Sequence, residues 1–195
     1  MKPILFNTDM VNAIMNGQKT CTRRILKSDK LPDKDIQFGY TAFTPKGYIS
    51  VRGYYGDNYG ESFIKLPYNQ GDVLYVRETF SPVNVIPKRY LYKTHCPEAN
   101  GLPIRWHPSI HMPKEAARLF LKVKTVTVQR LKDMVLADVL CEGISEEDAY
   151  EKTWDKWHKL WDSTVPDDKL DVYGSNANPY VWVISFERVE KDNDR

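Results

Sequence analysis

The sequence predicts an α+β fold: a mixed, mostly antiparallel β-barrel with a few flanking helices and long loop stretches. Three observations predict it. Strand candidates outnumber helix candidates, and the two do not alternate in βαβ rhythm. No glycine-rich phosphate loop follows any strand. Within 117–131, Leu119, Leu121 and Val123 alternate on one phase and Val126 and Val128 on the other. Such a change predicts a bulge or a bend where a strand rounds a barrel corner.

Ile4 to Phe6 is a short apolar run, a first strand or the lead into a helix. Thr8 to Met15 follows as that helix, with Met10, Val11, Ile14 and Met15 at helical spacing, Asn7 or Thr8 as cap and Gly17 as the left-handed terminator. Lys19-Thr20-Cys21-Thr22 then reads as extended, with both threonines on one side. Residues 28–40 read as loop. Tyr40–Phe43 and Tyr48–Arg52 flank the turn Thr44-Pro45-Lys46-Gly47, 53–60 reads as loop, and Ser62–Leu66 as another short strand. Asn69–Asp72 is a turn that opens a strand over Val73–Thr79. Residues 81–113 carry six prolines and one strand candidate, Arg89–Thr94. After the long strand 117–131, Asp133 is placed to cap a short helix running through Cys141 and ended by Gly143. Ser145 to Asp148 opens a second helix with a capping signature. Its Tyr150, Trp154, Trp157 and Trp161 recur at four, three and four residues, which is one helix face and reads as core packing; His158 is a bystander. Residues 163–178 read as loop, Tyr180–Val189 as a central strand apolar on both faces, and the charged tail 191–195 as frayed.

The 195 residues fit a single domain over 1–190, 42% of them hydrophobic, with no apolar run long enough for a membrane span. The N-terminus lacks a long apolar signal region, and Cys21, Cys96 and Cys141 do not suggest a disulfide framework, so a cytoplasmic location is expected. Net charge is only +2 but unevenly spread. Residues 19–34 hold six Lys/Arg against two Asp, and 133–168 hold eleven Asp/Glu against three Lys. A basic face of this kind suits a polyanion such as RNA.

The stretch 16–27 gathers Lys19, Thr20, Thr22, Arg23 and Arg24 at a helix-to-strand corner, either a solvated surface or a binding site. Arg77 and Glu78 end a strand, as surface charge or with one of them lining a cleft. His95, Cys96, His107 and His111 sit in the proline-rich stretch; Pro108 disfavours a helix presenting His107 and His111 together, so polar or nucleotide contacts are preferred to zinc and no metal or other cofactor is expected. Trp106 can stack on a base or pack on the core. Glu142 lies at a helix C-terminus, where the macrodipole disfavours a negative charge. It is solvated there, or it has a cationic partner.

Four blocks carry a resemblance. They are Gly17-Gln18-Lys19-Thr20-Cys21-Thr22-Arg23-Arg24, Gly71-Asp72-Val73-Leu74-Tyr75-Val76, Ala137–Gly143 ending in Cys-Glu-Gly, and the closing strand Val181–Glu187. Together they resemble the ASCH domain family of the PUA-like superfamily. Trp106–Pro113 and Asn178–Trp182 resemble ASCH-like proteins often carried by phages and prophages. The resemblance implies a PUA-like barrel with insertions at about 28–66 and 81–117, and a cleft on the barrel side that binds RNA or a modified nucleoside or base. A small bacterial relative hydrolyses the amide of N4-acetylcytidine. Carried over block by block, its lysine, threonine and glutamate fall on Lys19, Thr22 and Glu142, the expected catalytic set. Thr20, Arg23, Arg24, Arg77, Glu78 and Trp106 are the expected substrate-binding residues. Amide hydrolysis needs a nucleophile, a base and a stabiliser for the tetrahedral intermediate, and these residue types supply them. The alternative is a non-catalytic RNA-binding module using the same cleft, and a nuclease is less favoured. No membrane and no obligate protein partner is expected.

Overall fold

The computed structural model describes residues 1–83, 85, 87, 89–96, 104–145 and 150–190. The frayed tail expected at 191–195 and part of the capping signature at 146–149 lie outside the described residues. The main sheet has five strands: β1 (Lys2–Leu5), β2 (Cys21–Ile25), β6 (Val73–Arg77), β9 (Phe120–Arg130) and β10 (Tyr180–Val189). Their order is β1-β6-β9-β10-β2, with β1 parallel to β6 and the other pairs antiparallel. β3 (Lys34–Gly39), β4 (Tyr48–Tyr55) and β5 (Asn58–Lys65) form a second, antiparallel sheet, and β7 (Phe80–Val83) with β8 (Arg89–Tyr92) a hairpin. The helices are α1 (Thr8–Met15), α2 (Leu136–Cys141), α3 (Tyr150–Asp162) and α4 (Leu170–Tyr173).

The expected barrel does not form. The strands fall into three separate sheets, and none closes on itself. The cause lies at the front of the chain. β1 is only four residues long, pairs with β6 alone and runs directly into α1, so β1 and β2 become opposite edges of the main sheet. No ladder joins those edges among the described residues. A side chain reaches across instead: Arg24 donates a guanidinium N–H to the Leu5 carbonyl at 2.8 Å.

The main sheet is the middle layer. Ile49, Val51 and Ile64 of the three-stranded sheet meet Leu74, Leu121, Val123 and Ile184 of the main sheet in one buried cluster. On the other face Val181 packs with Val139 of α2 and Trp157 and Trp161 of α3. β10 therefore contributes to both layers, Val181 to one side and Trp182, Ile184 and Phe186 to the other, which is why it reads as apolar on both faces. A side chain as fully buried as Ile184 is worth about 1.5–3 kcal/mol over leaving it in water. The phase change in 117–131 has its physical counterpart at Lys124. Ser185 pairs with Thr125 and Phe186 with Val123, so Lys124 is the extra residue of a bulge.

Elsewhere the elements differ from the sequence expectation. Residues 28–40, expected as loop, contain β3. Tyr40–Phe43, expected as a strand, lies outside any ladder. The 53–60 stretch, expected as loop, is the tight hairpin between β4 and β5: Tyr55 pairs with Asn58, and Gly56 takes φ +62 at the turn. Cross-strand contact of the Tyr54 and Tyr59 rings, with centroids 5.2 Å apart, supports that pairing. α2 is capped by Asp138, whose carboxylate accepts from the Val135 backbone N–H at 3.0 Å, and not by Asp133, which sits in a 3₁₀ turn. Residues 163–178, expected as loop, hold α4 and two 3₁₀ turns. No helix among the described residues is long and apolar enough to cross a membrane.

Candidate functional site

α1 ends at Gly17, with φ +74, and the backbone N–H groups of Gln18 and Lys19 both bond to the Ala13 carbonyl, at 2.9 and 3.0 Å. This turn aims the chain at the end of α2. Lys19 and Glu142 meet as an isolated antiparallel bridge, and the Thr20 N–H bonds to the Cys141 carbonyl at 2.9 Å. Gly143 permits the approach. It has φ +88, and a Cβ there would stand 2.7 Å from Ala13 Cβ and 2.9 Å from Lys19 Cβ. The Cys-Glu-Gly block thus has a steric rationale.

The side chains then close a charged cluster. Lys19 Nζ donates to Glu142 Oε2 at 2.6 Å and to the Glu142 carbonyl at 2.8 Å. Arg23 forks between two carboxylates, Nη1 to Glu142 Oε1 at 3.2 Å and Nη2 to Asp138 Oδ1 at 2.9 Å. Lys19 and Arg23 side chains are each 1% exposed and that of Glu142 9%, so these charges stand out of water and depend on one another. Burial pushes the Lys19 ammonium below the ordinary lysine range, against the pull of Glu142. Burial also opposes the charge on Arg23, but Glu142 and the other acidic groups around it outweigh that and hold it protonated. Burial raises the Cys21 thiol to about 12, with Glu142 adding to the shift, which leaves it an inert thiol beside the cluster.

Beside the cluster lies a pocket of about 160 Å³, between the two open edges of the main sheet. Lys19, Thr22, Arg23, Arg24 and Glu142 form one wall, and Phe6, Met10, Trp157, Leu160 and Trp161 line the rest. Lys19 Nζ stands 5.5 Å from the centre of the Phe6 ring, and the Arg24 guanidinium 5.4 Å.

The structure therefore brings Lys19, Thr22 and Glu142 to one pocket, together with Arg23 and Arg24. The other expected binding residues lie elsewhere. Thr20 is exposed beside its backbone bond to Cys141. Arg77 donates to the Ile110 carbonyl at 3.2 Å. Glu78, 1% exposed, takes a bidentate pair from Arg118 at 2.8 Å and 2.8 Å and a bond from Thr94 at 3.0 Å; it ties β6 to the stretch after β8. Trp106 is half-buried next to His107, whose backbone pairs with Phe80, and does not line the pocket. His95 faces the Arg118 guanidinium at 2.7 Å, and among the described residues no three His, Cys, Asp or Glu gather as a metal-binding group.

Several residues escaped the sequence reading. Asp138 is one; its i, i+4 spacing to Glu142 on α2 was the available signal, since both carboxylates then face one side. The α3 tryptophans are core, as their spacing predicts, and also line the pocket; Phe6, expected in a first strand or the lead into α1, and Met10, expected on the apolar face of α1, line it too. Comparison of the chain with protein-family models, curated proteins and solved structures finds no match to any of them. The ASCH resemblance accordingly rests on its four blocks.

Proposed function

We propose that this is an ASCH-like hydrolase that cleaves the exocyclic amide of an N4-acylated cytosine-type base or nucleoside held in the pocket. The observation that carries the reading is the seat of Lys19, whose buried Nζ is held by Glu142 on the same pocket wall as Thr22. A neutral amine has two N–H donors, and Glu142 takes both, through Oε2 and through its carbonyl oxygen. The nitrogen lone pair is then directed away from Glu142. Burial lowers the cost of reaching that neutral form. Thr22, on the same wall, supplies the hydroxyl.

In the proposed reaction Lys19 accepts the Thr22 proton as the hydroxyl oxygen adds to the amide carbonyl. The tetrahedral oxyanion forms on the wall that carries Arg24, whose guanidinium can stabilise it. Lys19 then returns the proton to the departing exocyclic nitrogen, the C–N bond breaks, and the acyl group stays on Thr22 as an ester. Water, deprotonated by the same amine, cleaves that ester and restores the hydroxyl. Net, one water is added across the amide to give a carboxylic acid and the free amine. Arg23 stays outside this cycle and holds Glu142 in place.

The test is release of cytidine and acetate from N4-acetylcytidine by the wild type, Lys19→Ala and Thr22→Ala. Turnover by the wild type, reduced at least 100-fold in both variants, is expected. Variants as active as the wild type remove these residues from the mechanism. No turnover together with salt-sensitive RNA binding replaces the hydrolase with the binding module, for which the exposed Arg24, Lys27 and Lys30 supply a basic surface.

A further inference from the structure

The charged groups at the pocket wall pair with one another and leave one over. Glu142 accepts from Lys19 at 2.6 Å and from Arg23 at 3.2 Å, and Asp138 meets the other arm of Arg23 at 2.9 Å. Arg24 is the surplus. Its guanidinium lines the pocket and donates to the neutral Leu5 carbonyl at 2.8 Å, and no carboxylate pairs with it among the described residues. Glu142 is the only carboxylate in the described lining, and both its oxygens are taken. A guanidinium with N–H donors to spare at the wall of a pocket is a seat for a carboxylate, which it can grip with two parallel bonds.

Lys19 decides the charge of the whole wall. With its ammonium protonated, three cations (Lys19, Arg23 and Arg24) stand against two carboxylates, Asp138 and Glu142. With the amine neutral, the two arginines balance the two acids. The other titratable groups beside the wall are neutral in both forms. The Cys21 thiol is pushed up to about 12, and the Tyr68 hydroxyl, raised by burial, donates to the Pro3 carbonyl at 2.9 Å. The residues that α1, α3 and their flanks add to the lining carry no charge. A net attraction for an anion therefore exists only while Lys19 holds its proton.

We infer that this pocket binds a small carboxylate at Arg24 together with a proton on Lys19, so that the acid released by the proposed reaction inhibits its own enzyme. The anion site stands on the charge pairing alone; only the identity of the carboxylate rests on the reading of the pocket as an amide hydrolase. The ligand class it adds is the small organic anion, beside the base or nucleoside. The two ligands need opposite forms of one group. Hydrolysis uses the neutral amine as base, and the bound acid holds the ammonium. By linkage the acid therefore suppresses the base as well as filling the pocket, and loss of the proton expels the acid.

The test titrates sodium acetate into the protein by calorimetry at constant ionic strength, with neutral acetamide as control, in the wild type, Arg24→Gln and Arg24→Lys. Acetate should bind with a Kd between about 40 µM, the ceiling for so small a ligand, and about 10 mM, and acetamide at least tenfold more weakly. Above the Lys19 midpoint, which lies below 10.5, the acetate Kd should rise toward tenfold per pH unit. Acetate should inhibit cleavage of N4-acetylcytidine competitively, with an inhibition constant equal to its Kd. Arg24→Gln should weaken acetate at least tenfold, and Arg24→Lys, which keeps the charge without the fork, should recover part of the loss. If Arg24→Gln does not fold, the acetate–acetamide difference and the pH dependence in the wild type decide. Equal binding of acetate and acetamide overturns the inference. So does unchanged acetate binding in folded Arg24→Gln, an affinity constant from pH 7 to pH 10.5, or no acetate binding at all. Acetate that binds in this pattern to a protein that does not cleave N4-acetylcytidine keeps the anion site and removes the hydrolase. Cleavage that about 100 mM acetate does not slow keeps the hydrolase and overturns the inference.

Discussion

Glu142→Gln is the most informative single change in this molecule. It keeps the size of the side chain and removes the charge that Lys19 and Arg23 share. Arg23 retains Asp138 at 2.9 Å, but Lys19 loses its only carboxylate among the described contacts and is left 1% exposed. Breaking a buried pair from one side costs about 3–5 kcal/mol. A second route sets a ceiling. Lys19 can shed its proton rather than remain an uncompensated buried cation. From the ordinary lysine value of 10.5, doing so at pH 7 costs about 5 kcal/mol, at about 1.4 kcal/mol per pH unit. At pH 9 the same step costs about 2 kcal/mol.

The sign follows from proton counting. In folded Glu142→Gln, Lys19 is neutral over a range in which the unfolded chain still carries the proton. The unfolded state therefore binds more protons, and stability rises with pH up to the unfolded value of 10.5. The variant should be about 3–5 kcal/mol less stable than wild type at pH 7, a midpoint about 2 M lower in urea for an m-value near 2 kcal/mol/M. At pH 9 the deficit should shrink to about 2 kcal/mol. Adding Lys19→Met to Glu142→Gln should recover part of the pH 7 loss, because it removes the stranded amine. Urea unfolding at the two pH values measures all of this. A deficit under about 1 kcal/mol at pH 7, or one that grows toward pH 9, refutes the argument that these charges depend on one another.

Four further outcomes follow from the same geometry. Under the proposed mechanism the wild-type kcat/KM for amide hydrolysis should rise with pH to a midpoint below 10.5, because that mechanism uses the neutral form of Lys19 and burial lowers its value; a profile flat from pH 6 to 10 contradicts a lysine base. Gly143→Ala should cost about 1–3 kcal/mol in thermal or urea unfolding, from its positive φ and from contact with Ala13 and Lys19, and should lower activity as well. Glu78→Gln takes the carboxylate from Arg118, which keeps Thr94 and His95, and should cost about 1–3 kcal/mol while leaving KM for the proposed reaction unchanged, since Glu78 is not in the pocket; a KM shift would relocate the site. Iodoacetamide at pH 8 should label the exposed Cys141 and spare the buried Cys21, whose thiol is held near 12, as peptide mass mapping would show.

The front of the site was legible because local rules set it. Gly17 has to end α1, and that fixes where Lys19 emerges and which residues of the next strand follow. Glu142 was readable as a helix-end acid that is either solvated or paired with a cation, and the distance in sequence to Lys19 hid the choice. Asp138 was not picked out, because an acid early in a short helix serves equally as a cap, and here it does both. Arg77 and Glu78 show the opposite limit. Adjacent strand residues point to opposite faces, and Glu78 is decided by Arg118, forty residues on, which no local pattern encodes. The missing barrel has the same origin. Alternation tells which residues face a core, but closure depends on whether two edges pair, and that is set by a four-residue strand that turns away into a helix.

That failure to close explains why a pocket exists at all. In a sealed barrel β1 and β2 would share a ladder, and their side chains would point either in or out. With the edges apart, the ends of both strands present side chains to the gap. α2 brings its C-terminal acid to one side, and Trp157, Leu160 and Trp161 of α3 line the other. A polar wall of mutually dependent charges thus faces an apolar wall of fixed rings. The charged wall cannot be loosened without stranding a cation. Under the proposed function, the ligand that meets both walls is a ring carrying one polar, cleavable substituent, with its amide beside Lys19 and Thr22.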